Sequence, residues 1–107
     1  MAKCVFKPKG QLLGRADVVV YWCPGCRDRH YAEVQKSAGI ASPSWEWDLN
    51  TEQPTISPSV HYVGYCHHFV RAGKIEYLSD CKHALAGQTV NMVEVDADGY
   101  DLSRAGD

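Results

Sequence analysis

Residues 18–26 read Val-Val-Val-Tyr-Trp-Cys-Pro-Gly-Cys, and this stretch constrains the fold more than any other. The β-branched and aromatic run is a strand signal, and it ends in a tight turn at the Pro-Gly pair. The C-x2-C spacing of Cys23 and Cys26 lets two thiolates reach one ion from a single turn. Two more places pair a thiol with imidazoles, Cys66-His67-His68 and Cys81-Lys82-His83. Soft sulfur combined with borderline imidazole favours zinc over magnesium or calcium. A thioredoxin-like redox pair would open a helix, whereas Arg27-Asp28-Arg29-His30 leads back into strand pattern. Five cysteines are an odd number, and Met1 to Pro8 contains no secretory h-region. A disulfide framework is therefore not expected, and the pattern reads as a zinc protein of a reducing compartment.

Cys23, Cys26 and Cys66 are the expected metal ligands. His67 is the expected fourth, with His83, Cys81 and His68 as alternates and His30 also within reach. Neighbours on a strand point to opposite faces, so Cys66 and His67 can share an ion only at a turn or bulge. A closed four-ligand site supplies folding energy and no catalysis. If only three protein ligands are present, a zinc-bound water becomes a nucleophile, with His30, Asp80 and His83 as its catalytic surroundings. No H-E-x-x-H occurs, and no H-x-E accompanies the C-x-x-C as deaminase chemistry requires. Asp80 and His83 are spaced like residues on one helical turn, where Asp80 would cap Ala84 to Gly87 or orient the imidazole.

At 107 residues with 45% hydrophobic and 22% charged side chains, the chain matches one ordinary globular domain spanning 1–107. The convincing core covers 15–95, and the polar tail 96–107 is expected to fray. Alternation recurs at Tyr31–Val34, Trp45–Trp47, Ser59–Val63, Phe69–Arg71, Ile75–Leu78 and Thr89–Val95, with a loop from Lys36 to Ser44. The expected fold is mainly β: a single antiparallel β domain with a zinc-ribbon-like metal site and one short helical turn at His83–Gly87. No apolar run approaches the roughly 18 residues of a membrane-spanning helix. With a net charge of −2 and a pI near 6.2, no global positive field draws in nucleic acid. Trp45, Trp47 and Asn50 form a candidate binding surface, since tryptophan is enriched at protein interfaces.

The order Trp22-Cys-Pro-Gly-Cys26, His30, Trp45-Glu-Trp47-Asp48, Pro54-Thr-Ile-Ser-Pro58-Ser59, Cys66-His67-His68-Phe69-Val70, Gly73-Lys-Ile75 and Asp80-Cys-Lys-His83 resembles a small family from tailed phages and prophages. Its members often carry the label "ammonia monooxygenase". Such an oxidase is membrane-bound, whereas no run here is long and apolar enough to span a bilayer as a helix, and nothing in the sequence looks like a redox-active copper or iron centre. The resemblance implies a phage-encoded protein of the host cytoplasm with a zinc site. In the family pattern position 81 is not always cysteine, which implies His67 or His83 as the fourth ligand. The function expected from these readings is a non-catalytic interaction module engaging a host or phage protein, such as a defence factor. A zinc-dependent hydrolase is the alternative, and a nucleic-acid-binding zinc ribbon the third.

Overall fold

The computed structural model describes residues 2–12, 14, 16–36, 44–62 and 64–102. The expected loop of residues 36–44 lies outside these residues except at its ends, as do Arg15, Val63 and the last five positions. Among the described residues eight strands follow one another: β1 (Val5–Lys7), β2 (Ala16–Cys23), β3 (Asp28–Lys36), β4 (Glu46–Trp47), β5 (Ile56–Tyr62), β6 (Cys66–Arg71), β7 (Lys74–Tyr77) and β8 (Thr89–Asn91). They pair antiparallel in two sheets, β1-β2-β3 and β4-β5-β6-β7-β8. The mainly β, antiparallel architecture expected from the alternation is the one observed.

The run from Val18 to Tyr21 is apolar without interruption because β2 is the central strand of its sheet and is covered on both faces. Val19, Tyr21 and Cys23 join Val60, Val70 and Ile75 of the second sheet in the main core. Val20, on the opposite face, meets the C-terminal segment. A Cβ added at Gly99 would lie 2.4 Å from Val20 Cγ1. The Arg29 guanidinium sits 4.3 Å from the centre of the Tyr100 ring, and Asp96 N–H donates to Tyr100 C=O at 2.9 Å. The segment 96–102, expected to fray, is thus packed against β2 and β3. Its polar composition hid the small residue that permits close approach.

Ala72 and Gly73 close the β6–β7 hairpin with φ of 49° and 79°, the two positive values of a type I′ turn. His83 to Gly87 forms successive turns in place of the expected helical turn. Ala86 N–H donates to His83 C=O and Gln88 N–H to Leu85 C=O, both reaching back only three residues.

The pairing of β5 with β6 contains the irregularity that matters most for function. Ile56 faces Val70 and Val60 faces His68, so four steps on β5 span two on β6. The extra length holds Pro58, which has no N–H to contribute to a ladder. Beyond the bulge the register is regular, with His61 opposite His67 and Tyr62 opposite Cys66. Val60, Cys66 and His68 face the core, while Ser59, His61 and His67 alternate to the outer face.

Candidate active site and metal centre

On the outer face, three side chains form a chain of hydrogen bonds. Ser59 Oγ lies 3.1 Å from His67 Nε2, and His67 Nδ1 lies 3.1 Å from Asp80 Oδ2. Ser59 comes from the bulge of β5, His67 from β6, and Asp80 from the turn after β7. The hydrogen bond from His67 holds the Asp80 carboxyl below its ordinary range. An ionised Asp80 accepts, so Nδ1 carries the ring proton and Nε2 is free to accept from the Ser59 hydroxyl. His67 is 24% exposed and Asp80 55%, so the relay is open to solvent. Trp45 Nε1–H donates to Ser59 C=O at 3.1 Å and anchors the bulge from β4's side. These are the distances and roles of a serine nucleophile, its general base and a carboxylate that orients the base.

On the inner face, ligand atoms of Cys23, Cys26, His30 and Cys66 all lie within 4.8 Å of one another. The tight turn brings Cys26 N–H to Cys23 Sγ at 3.3 Å, and Arg27 N–H donates to Cys23 C=O at 2.8 Å. A hydrogen bond from the Cys66 thiol holds Cys23 well below the ordinary thiol range, assisted by His30 and Tyr77. Burial and the Cys23 charge push Cys26 up to about 12, and Cys66 is raised by its bond to Cys23 and by burial. One thiol ionises at the expense of the others, and only a cation lets all three do so. The donor set therefore fits a metal ion.

Three imidazoles lie at this cluster and differ in what their nitrogens already do. His83 Nδ1 accepts the Leu85 N–H at 3.2 Å, which leaves Nε2 to carry the proton toward Cys66 Sγ, 3.4 Å away. Its ring fills the space over Gly25, where a Cβ would lie 2.3 Å from His83 Cε1. His30 is buried between Tyr62 and His68, with ring centroids at 4.3 and 5.2 Å. Its Nε2 is buried and has no hydrogen-bond partner among the described residues. His68, held down to about 3 by burial, is neutral. It lies 2.7 Å from Tyr21 Oη through Nε2 and 3.2 Å from Cys66 Sγ through Nδ1.

The expected fourth ligand, His67, stands on the other face with Ser59 and Asp80, because strand alternation separates it from Cys66. Cys81 accepts the His67 N–H and donates to the His67 C=O, both at 3.1 Å, so it clasps the backbone of that histidine. Asp80 bonds to His67 and neither orients His83 nor caps the turn as the sequence spacing suggested. Trp45 and Trp47 are half-buried against the core, Trp47 stacks on Phe6 at 5.7 Å, and Asn50 Oδ1 caps Glu52 and Gln53 N–H. Ser59 entered the sequence reading as the start of a strand and as part of the family pattern, with no chemistry assigned to it. The hairpin register would have revealed it, since His61 opposite His67 sets Ser59 diagonally beside the imidazole.

A family model described as "Bacterial ubiquitination-like system serine protease (BubE)" matches residues 5–78, more than half of the chain. The match includes Ser59 and His67 and stops two residues before Asp80. No curated protein and no solved structure matches the chain. The match overturns the expectation of a non-catalytic phage accessory module, because the family's description is that of a protease. It carries neither a phage origin nor the monooxygenase label. It does not favour the metal-bound-water hydrolase or the nucleic-acid-binding ribbon either.

Proposed function

The chain belongs to the family of bacterial ubiquitination-like system serine proteases (BubE), and from that premise we propose that it hydrolyses peptide bonds through Ser59, His67 and Asp80, as the protease component of such a system. The observation that carries this reading is the unbroken pair of 3.1 Å contacts from Ser59 Oγ through His67 to Asp80. Ser59 Oγ attacks the scissile carbonyl while His67 Nε2 takes its proton. His67 then returns the proton to the leaving amine as the C–N bond breaks, leaving an acyl group on Ser59. Water, deprotonated by the same nitrogen, releases the carboxylate product and restores the hydroxyl. Asp80 stays ionised throughout and holds the imidazole in the tautomer that can accept.

The Cys/His cluster has a structural role in this reading, and the ion it holds is zinc. Three sulfurs and one imidazole make a closed tetrahedral site with no open position for water. His30 is the fourth ligand, since its buried Nε2 needs a partner while His83 donates to Cys66. The two sites are joined through the chain: Cys66 precedes His67, and Cys81 follows Asp80 while clasping the His67 backbone. Folding the metal centre thus positions the base and its carboxylate on the opposite face.

A fluorophosphonate probe tests the proposal without knowledge of the substrate. The wild-type protein should be labelled on Ser59, located by mass spectrometry, and His67→Ala should slow labelling by about 10³-fold or more. Labelling at another serine, or equal labelling of the His67 variant, rejects the assignment.

A further inference from the structure

The residue beside the relay that catalysis leaves unused is His61. Its ring stacks on His67 with centroids 4.1 Å apart and planes 16° from parallel. It is exposed. Ligand atoms of His61, His67 and Asp80 lie within 4.8 Å of one another, on the face opposite the thiol cluster. Two imidazoles and one carboxylate are a zinc donor set that leaves a coordination position for water. A tetrahedral ion with bonds of about 2.0–2.2 Å needs its donors roughly 3.3 Å apart. Exposed side chains reach that spacing by small rotations about their χ angles.

We infer that His61, His67 and Asp80 form a second site for Zn²⁺, and that zinc bound there inhibits the protease. The inhibition, though not the binding, rests on the function proposed above. Both nitrogens of His67 are committed in the relay, Nε2 to Ser59 and Nδ1 to Asp80. Zinc on Nε2 displaces the Ser59 hydroxyl and removes the base's lone pair. Zinc on Nδ1 replaces the hydrogen bond to Asp80 and takes that nitrogen's lone pair, so the ring proton resides on Nε2, which then donates and no longer accepts from Ser59. Either arrangement stops proton transfer, and removing the metal restores it. His61 adds the third donor that turns a base–carboxylate pair into a chelate.

The test titrates Zn²⁺ calorimetrically into full-length protein whose thiol site is already filled. A second zinc should bind to the wild-type chain and to Ser59→Ala. His61→Ala and His61→Phe, the latter keeping the aromatic stack, should weaken that binding by about 10-fold or more. Fluorophosphonate labelling of the wild type should fall as the second zinc binds, and chelation to one equivalent should restore it. Absence of a second zinc from the wild type, or its full retention in His61→Phe, overturns the site. Unchanged labelling with the second zinc bound overturns the inhibition. Should Ser59 prove not to be a nucleophile, the calorimetric comparison still decides the binding.

Discussion

At the scale of single residues, the outer-face relay makes the sharpest demand on Asp80. Replacing its carboxylate with an amide keeps the shape and loses the acceptor that selects the His67 tautomer. Asp80→Asn should lower turnover by about 10⁴-fold with little effect on folding, measured as single-turnover acylation beside a thermal melt. The sign of its pH behaviour follows from its depressed carboxyl. A group lowered in the folded state is ionised above its ordinary value and loses its contribution only as pH falls below that. The rate profile from about pH 5 to 9 should therefore carry no inflection from Asp80. Cys4 is a thiol of the opposite kind, buried and pushed up to about 12 first by desolvation and then by the Asp48 charge. It should resist iodoacetamide at about pH 8 in the native protein and react after unfolding, as read by peptide mass spectrometry.

At the scale of elements, β5 and the turns around it decide where chemistry can occur. The bulge between Ile56 and Val60 moves the β5 register by two residues against β6. Without it, the register of Ile56 with Val70 would set Val60 opposite Cys66 and Ser59 directly opposite His67, whereas the bulge offsets Ser59 to a diagonal position. The β6–β7 hairpin holds Val70 against Ile75 and sets the direction in which the chain leaves toward Asp80. Its first turn residue, Ala72, sits at φ 49°, where an alanine Cβ is disfavoured and asparagine is tolerated. The Ala72 N–H bond to Thr55 Oγ1 does not involve the side chain and survives replacement. Ala72→Asn should raise stability by about 0.5–1 kcal/mol, seen as a shift of the urea midpoint with an unchanged slope.

At the scale of the whole molecule, a chain of this length buries about two-thirds of its unfolded surface and gains from a staple. The thiol cluster sits between the two sheets, with Cys23 and Cys66 inside the main core. In small zinc modules the metal contributes on the order of 10 kcal/mol to folding. Chelation should therefore unfold the protein and abolish Ser59 labelling together. Circular dichroism and probe labelling followed along one chelator titration check this. Labelling that disappears well before the fold would place the metal in the chemistry and not in the scaffold.

Much of this was legible in residue order alone. Period-two alternation marked β3, β5, β6 and β7, because a strand between a core and solvent writes its two faces into consecutive positions, and an unbroken apolar run marked β2, which is covered on both faces. The Cys-Pro-Gly-Cys turn declared a metal knuckle, since that spacing is a local property of one turn. What stayed hidden depended on register and on contacts between distant segments. Ser59, His67 and Asp80 are spread over 22 positions and form no local motif. The pairing of β5 with β6, a hairpin and a clasp by Cys81 bring them together. The same alternation that put Cys66 into the metal cluster excluded its neighbour His67 from it. Residue types thus announced which chemistry was available, and strand pairing decided which face each of them would serve.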